Sequence, residues 1–212
     1  MSIHHVSHPL IQVKLSQLRD QATPAYRFRQ LMKELSVLLG VEASKGLQLT
    51  DVQGLQSPIS PYTGKALAPK VGLSPILRAG IGMNDGFLDL FPEAQVFYLG
   101  LFREKVSLSP VEYYQKLPKQ VTVDTLYLLD PLVATGGTAI AAISILLDWG
   151  LDISQIKLVS ILGSKPGLEK VAAEYPGLDI YVGGVDETLT QDGYIVPGLG
   201  DSGDRLFNTL QN

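Results

Sequence analysis

The sequence contains no cysteine and only three histidines among its 212 residues. Without cysteine the chain can form neither a disulfide framework nor a thiolate-ligated metal site. The three histidines, His4, His5 and His8, all lie in the N-terminal segment, and no partner ligand stands nearby at helical spacing. A surface or packing role therefore explains them better than metal binding, and we assign them no chemistry.

Positive charge and long apolar runs are also scarce. Lysine and arginine number 17 against 21 acidic residues, which gives a formal net charge of -4. Nucleic acids and membrane surfaces both favour a basic face, so we expect neither as a partner, and any anionic ligand must be held locally. The opening segment MSIHHVSHPL lacks the apolar run of a signal peptide or a membrane span. We therefore expect a cytoplasmic protein.

The usual nucleotide-binding signatures are missing from the stretch LYLLDPLVATGGTAI, residues 126–140. It has no lysine before its final threonine, as a Walker A loop requires, and no G-x-G-x-x-G follows the strand. A helix over residues 139–149, starting at Gly137 or Thr138, would still offer free N–H groups to an anion. An ordinary strand-to-helix connection with an N-capping threonine has the same pattern, so the loop alone leaves both interpretations open.

Apolar stretches alternate with helical patterns along most of the chain. An apolar fraction of 45% suits one sizeable domain with a well-buried core. Five stretches predict strands: KVGLSPIL, AQVFYLGLF, VDTLYLLD, IKLVSILG and LDIYVGGV. Helices are predicted near residues 84–90, 139–149 and 167–174, and this alternation predicts an α/β fold with a mainly parallel sheet covered on both faces.

Two further elements are predicted before this alternation begins. Residues 24–39 place apolar side chains on one stripe of an amphipathic helix, which Gly40 would end. The stretch SPISPYTGKALAPK predicts a surface hairpin, with its turn at residues 61–64 and outside the central sheet.

Several candidate functional residues follow predicted strands, where parallel sheets bind their ligands. Asp130 ends one strand, Arg78 follows another and precedes the small-residue turn Ala79–Gly80, and Arg103 lies just beyond a third. One terminal arginine is usually only solvated. Two arginines and two anion-binding turns on one rim, however, predict an oxyanion site.

The C-terminal stretch GYIVPGLGDSGDRLF is rich in glycine and proline and contains two acids, Asp201 and Asp204. Its apolar residues Ile195, Val196 and Leu199 predict that it packs against the rest of the chain rather than trailing as a free tail.

Taken in order, these segments resemble the uracil phosphoribosyltransferase family over nearly the whole chain. The matching stretches are HPLI, FRQLMKEL, PILRAGIGMNDG, YYQKLP, DPLVATGGT and PGLGDSGD. Most of the wider superfamily has two adjacent acids where this chain has Asp130–Pro131, whereas the uracil branch also has one acid followed by proline. The resemblance implies a type I phosphoribosyltransferase fold in a single domain over residues 1–212, with a flexible arm at about 104–118 and a base-binding hood at about 186–205.

The resemblance also implies a reaction and its residues. Family members join uracil to 5-phospho-α-D-ribose 1-diphosphate (PRPP), giving UMP and diphosphate in pyrimidine salvage. The catalytic residues implied are Asp130, Arg103 and Asp201. The PRPP-binding residues implied are Arg78, Arg103, Asp130, Pro131, Leu132, Val133, Ala134, Thr135, Gly136, Gly137, Thr138 and Asp201. The uracil-binding residues implied are Ile195, Gly200, Asp201 and Ser202, through main-chain groups.

Cofactor and partners follow from the same resemblance. Family members use Mg²⁺, which we expect to bind mainly through the substrate diphosphate, and we assign no protein metal ligand. Many members form homodimers or larger assemblies, and GTP activates some, which makes GTP a candidate allosteric activator here. Two other functions remain open: a regulatory or nucleotide-sensing protein with this fold, and a phosphoribosyltransferase for a purine or orotate. The stretch YIVPGLGDSGD favours uracil over both.

Overall fold

A computed structural model of the chain describes residues 2–103 and 110–209. Its elements, in chain order, are β1 (Ser2–His5), α1 (Pro9–Arg19), α2 (Ala25–Ala43), β2 (Leu49–Gln56), β3 (Pro61–Leu67), β4 (Val71–Leu77), α3 (Ile81–Leu90), β5 (Gln95–Val96), β6 (Leu99–Arg103), β7 (Pro110–Gln115), β8 (Thr125–Leu129), β9 (Leu132–Val133), α4 (Gly137–Trp149), β10 (Ile156–Ser160), β11 (Leu162–Ser164), α5 (Lys165–Glu174), β12 (Asp179–Val182), β13 (Val185–Asp186), β14 (Thr188–Leu189), β15 (Ile195–Val196) and α6 (Ser202–Phe207), with a single 3-10 turn at Ile153–Gln155 before β10.

The central sheet has eight strands in the order β1-β12-β10-β8-β4-β6-β7, with β5 also paired to β4. Its pairings are parallel except at one edge, where β7 returns antiparallel to β6. The central strands β4 and β8 are almost wholly buried, because helices cover both faces. The predicted α/β fold with a mainly parallel sheet is confirmed.

Two apolar clusters lie on opposite faces of this sheet. Along β8, Tyr127 and Leu129 belong to the cluster beneath α1, α2 and α3, whereas Leu126 and Leu128 belong to the cluster beneath α4 and α5. This alternation follows from the two-residue period of a strand. Among the described residues, no helix is both long and apolar enough to cross a membrane.

The predicted hairpin lies outside the central sheet, where β2 and β3 form a separate two-stranded sheet. The predicted position of its turn is wrong, because residues 61–64 belong to β3. The chain reverses over residues 57–60 instead, where the Ser57 hydroxyl accepts hydrogen bonds from the backbone N–H groups of Ile59 and Ser60. Serine stabilises turns in this way.

The predicted helix near residues 24–39 is confirmed, but its predicted end is wrong. Helix α2 continues through Gly40 to Ala43. A Cβ atom on Gly40 would lie 2.6 Å from Leu90 Cδ1 of α3, so glycine is needed there for close helix packing rather than as a stop signal. The elements that were not predicted are helices α1 and α6 and strands β1, β7, β9, β14 and β15.

Candidate active site

The loop between β8 and α4 forms a helix N-terminus with unpaired backbone donors. Gly136 caps α4 in a left-handed conformation, with φ 79° and ψ -12°. The Ile140 N–H donates to Gly136 O at 3.0 Å. Within residues 2–103 and 110–209, nothing accepts a hydrogen bond from the N–H of Gly136, Gly137 or Thr138. These donors, with the positive end of the helix dipole, can bind an oxyanion.

The loop is fixed against the start of α5 by two residues that the sequence reasoning missed. The Ser164 hydroxyl donates to Ala134 O at 2.5 Å and accepts from the Gly167 N–H at 3.0 Å. A Cβ atom on Gly167 would lie only 2.0 Å from Ala134 O, and one on Gly136 would lie 2.8 Å from Gly167 O. The run Ser164-Lys-Pro-Gly167 is a recognisable N-cap pattern and could have predicted the start of α5.

Asp130 is buried at the end of β8, with 9% of its surface exposed. Burial raises the pKa of its carboxyl group to about 7, and the Leu132 N–H, 3.4 Å from Oδ1, offsets this effect only in part. Asp130 lines one pocket together with residues 132–136 and 138–139. The carbonyl of Pro131 accepts hydrogen bonds from the N–H groups of Ile161 and Leu162, where β11 begins.

A second close turn, between β4 and α3, lies beside the first. A Cβ atom on Gly80 would lie 2.5 Å from Leu129 O, the carbonyl that precedes Asp130, and 2.5 Å from Ile76 N. Only glycine fits between these two strand ends. The structure therefore brings the turn after Arg78 and the loop after Asp130 to one edge of the sheet, as the sequence predicted.

Arg78 connects this edge to the C-terminal segment. Its guanidinium, 55% exposed, donates to Asp204 Oδ1 at 3.0 Å, and its Cζ lies 5.7 Å from the centroid of the Phe207 ring. Arg78 also lines a pocket with Asp201 and Ser202. This pocket is distinct from the one that Asp130 lines, although the two turns adjoin.

The predicted hood segment contains a short hairpin, a tight turn and a helix. Strands β14 and β15 pair antiparallel, and Ile195 in β15 is buried. Gly198 and Gly200 both have positive φ, at 62° and 79°. Asp201 then caps α6, where its Oδ1 accepts from the Asp204 N–H at 2.9 Å. The spacing of these two acids is a capping pattern that could have predicted α6.

Arg103 is the last residue of β6, next to β4 in the sheet, so its backbone ends on the same edge as Arg78. Of the predicted arm, residues 104–109 lie outside the described residues. Strand β7 and the segment after it belong to its described part. In the segment after β7, the carbonyl of Pro118 accepts a hydrogen bond from the indole N–H of Trp149 at 2.7 Å. The Trp149 ring packs edge-on against Phe97, with the two ring centroids 4.9 Å apart.

In the described part of the chain, no group of three or more histidine or acidic side chains is placed to hold a metal ion. Asp201 is exposed and lines the pocket with Arg78, where it can offer a single carboxylate.

A parallel sheet, with a glycine-rich loop of unpaired N–H donors after Asp130 and a second close turn at the adjacent strand end, is the arrangement of a phosphoribosyltransferase of type I fold. The family profile described as Uracil phosphoribosyltransferase matches residues 5–209, and the chain belongs to this family. The protein named uracil phosphoribosyltransferase from Roseiflexus sp. (strain RS-1) is 47% identical over 202 residues, covering 95% of this chain and 96% of its own. That from Finegoldia magna is 48% identical over 203 residues, with the same coverage. Among solved structures, the AQ2163 protein from Aquifex aeolicus is 36% identical, with a TM-score of 0.89 and 97% of both chains covered.

Proposed function

We propose that this chain is an enzyme that transfers the 5-phosphoribosyl group of PRPP to N1 of uracil, giving UMP and diphosphate. The observation that carries the proposal is the free N-terminus of α4 at Gly136–Thr138, adjoining both Asp130 and the turn after Arg78. Family membership over residues 5–209 supports uracil as the base.

The 5′-phosphate would bind at the start of α4. The N–H groups of Gly136, Gly137 and Thr138 supply donors, and the half-buried Thr135 and Thr138 add hydroxyl groups. The ribose hydroxyls would then donate to Asp130. Because a hydroxyl donates more strongly to an ionised carboxylate, PRPP binding would favour release of the proton that burial otherwise holds on Asp130.

The diphosphate would lie beside Arg78 and the Ala79–Gly80 turn, with Arg103 approaching from the adjacent strand end. Positive charge there stabilises the leaving group as its negative charge grows. Arg78 is bound to Asp204 in the structure, so an incoming diphosphate would compete with this carboxylate for the guanidinium.

Departure of diphosphate leaves an oxocarbenium-like sugar, which an ionised Asp130 stabilises. Uracil N1 then bonds to the anomeric carbon, and its N1 proton passes to the departed diphosphate or to solvent, so the reaction needs no protein nucleophile. The arm over the site would exclude water, which otherwise competes with uracil for the activated sugar.

Mg²⁺ fits this donor set as an ion carried by the substrate. Magnesium keeps several waters and binds phosphates with one or two carboxylates, and Asp201 offers one exposed carboxylate at the Arg78 pocket. When bound, the ion would neutralise the charge of the diphosphate.

Uracil would be recognised by main-chain groups of Ile195, Gly200, Asp201 and Ser202. Within the two described ranges, nothing accepts a hydrogen bond from the N–H of Gly200 or Asp201. Free N–H donors suit the carbonyl oxygens of uracil, whereas cytosine places an amino group at C4. Backbone groups cannot exchange donor and acceptor, so recognition of this kind discriminates between the two bases.

The test is a base panel with labelled uracil, cytosine, orotate, adenine and hypoxanthine, each incubated with PRPP and Mg²⁺. We expect UMP from uracil and no comparable product from the other four. Reactions without PRPP are the control for contaminating activities. Formation of a purine nucleotide or orotidylate instead would overturn the choice of base, and no product from any base would overturn catalysis.

The family resemblance also supports a cytoplasmic homo-oligomer of two or more copies, with GTP as an allosteric activator. Sedimentation of the purified chain measures its assembly. Adding GTP to the uracil assay at subsaturating PRPP measures activation, which unchanged rates would refute.

A further inference from the structure

The C-terminal end of α1 holds the hood through Arg19. Its guanidinium donates from Nη1 to Asp186 Oδ2 at 2.7 Å and from Nη2 to Asp186 Oδ1 at 2.6 Å. The same Nη1 donates to Gly198 O at 2.7 Å. Asp186 Oδ2 in turn accepts from the Gly198 N–H at 2.9 Å. The ion pair therefore fixes both backbone polar groups of Gly198.

The pair is bidentate, and its carboxylate is buried. The Asp186 side chain is 7% exposed and that of Arg19 is 24% exposed. Burial by itself would raise the pKa of Asp186, but the hydrogen bonds from Arg19 and from the Gly198 N–H, together with the Arg19 charge, lower it overall. The planar guanidinium matches both carboxylate oxygens, which a lysine ammonium cannot do.

The turn that this pair holds has little freedom of its own. Gly198 has φ 62°, and a Cβ atom there would lie 2.1 Å from Ile195 O. The turn thus contacts Ile195, a residue that the proposed function assigns to the base. Any shift of Gly198 would move the adjoining backbone of the hood.

A second arginine fixes the other side of the same segment. Arg205 in α6 is buried and donates to the carbonyl groups of Leu18, Asp20 and Leu199, at 2.7, 2.5 and 2.8 Å. Gly200, Asp201 and Ser202 therefore lie between two attachments to the end of α1, one at Gly198–Leu199 and one at Arg205.

We propose that Arg19 is a positioning residue for base recognition: through Asp186 and Gly198 it holds the backbone of residues 195–202 at the geometry that selects uracil. The inference rests on the proposed function, because it assigns a role in uracil binding. Arg19 need not touch the base. Its removal would weaken uracil binding and base discrimination while leaving the PRPP site at the α4 N-terminus unchanged.

Three variants test this role. Arg19→Met removes the charge and the donors, Arg19→Lys keeps the charge without the bidentate geometry, and Asp186→Asn keeps an acceptor for the Gly198 N–H. Lys14→Met is the matched control, because Lys14 lies on the same helix with the same 24% side-chain exposure and pairs with Glu34 on α2 at 2.6 Å, away from the hood.

At saturating PRPP we expect the KM for uracil to rise about tenfold or more in Arg19→Met, since misplacement by about 1 Å can cost about 10²-fold. Arg19→Lys and Asp186→Asn should lie between Arg19→Met and the wild type. The preference for uracil over cytosine should fall in the same order. PRPP affinity should fall less than uracil affinity in the Arg19 and Asp186 variants, because the N–H donors at the start of α4 do not depend on residues 195–202, and it should keep its wild-type value in Lys14→Met.

A merely structural role predicts a different result. If the Arg19 variants melt at lower temperature but keep the wild-type KM for uracil and the wild-type base preference, the positioning role is overturned. It is equally overturned if Lys14→Met shows the same changes as Arg19→Met.

Amide hydrogen exchange provides a readout that does not depend on activity. Exchange over residues 195–202 should accelerate in Arg19→Lys and remain unchanged in Lys14→Met. Unchanged exchange in Arg19→Lys would overturn the positioning role even if the chain makes no UMP. A wild type that makes no UMP would overturn the proposed function, whereas an active wild type with unaffected Arg19 variants overturns only this inference.

Discussion

Replacing Asp130 with asparagine should make the protein less active, and the stability of the variant relative to the wild type should rise with pH. The carboxyl group is buried, and its pKa is raised from 3.8 to about 7. The folded chain therefore binds this proton more tightly than the unfolded chain. Folding stability from this group is fully present below about pH 4 and is lost as the pH rises to about 7.

The size of the effect follows from that difference of about three pKa units, which corresponds to about 4 kcal/mol at 1.36 kcal/mol per unit. About two of those three units lie between pH 5 and pH 8, so the wild type should lose about 3 kcal/mol of its free energy of unfolding over that range. Asparagine does not ionise and can still accept the Leu132 N–H. Any fixed cost of burying its amide cancels when the two pH values are compared.

The assay is thermal unfolding of the wild type and Asp130→Asn at pH 5 and pH 8 without ligands. The melting temperature of the variant, relative to the wild type, should rise by roughly 6–12 °C from the lower to the higher pH. Asp148→Asn, which removes an exposed carboxyl group from α4, is the control. Its free energy of unfolding should stay within about 0.5 kcal/mol of the wild-type value at both pH values. An equal difference at pH 5 and pH 8 for Asp130→Asn would refute the argument, because it would mean that burial does not hold a proton on Asp130.

Three other substitutions test the proposed contacts. Gly136→Val should abolish PRPP binding measured by calorimetry, because Gly136 has φ 79° and a Cβ atom there would lie 2.8 Å from Gly167 O. The control Gly46→Ala, where the added Cβ meets open space, should bind PRPP normally. Normal PRPP affinity in Gly136→Val would show that the loop does not bind the phosphate. Arg103→Ala should lower kcat by roughly 10²–10³ while changing uracil binding less, with partial recovery in Arg103→Lys, and unchanged turnover would exclude Arg103 from the reaction. The wild type should prefer uracil to cytosine by about 10⁴ in kcat/KM, and Ser202→Ala should preserve that preference, since the backbone is the proposed reader; a preference below tenfold, or its loss in Ser202→Ala, would contradict backbone recognition.

The central sheet could be predicted because its buried strands consist almost entirely of apolar residues. Strands such as β4 and β8 are covered on both faces, so they appear in the sequence as short continuous apolar runs. The residues that follow such runs, Asp130, Arg78 and Arg103, are then predicted at one edge by the geometry of a parallel sheet. The family and the fold class were predicted from the same segments, and both are confirmed.

Contacts between residues that are far apart in the chain could not be predicted, because they leave no local pattern in the sequence. Gly40 resembles a helix stop in sequence, yet its absent side chain makes room for Leu90 of α3, an element that begins about forty residues later. Arg19 and Asp186 are separated by 167 positions, and nothing in the local pattern of either residue indicates their pairing. Local capping patterns at Ser164 and Asp201 were present in the sequence but are short, and both precede helices of ten residues or fewer.

Trp149 is the single tryptophan in the chain, and its indole N–H is hydrogen-bonded to Pro118, where the predicted arm ends. Its ring also packs edge-on against Phe97 in the segment between β5 and β6. Intrinsic fluorescence excited at the indole therefore comes from one known place, at the end of the predicted arm. The protein contains its own optical reporter there, so stopped-flow emission during substrate addition can follow that region in the native chain, without an attached dye.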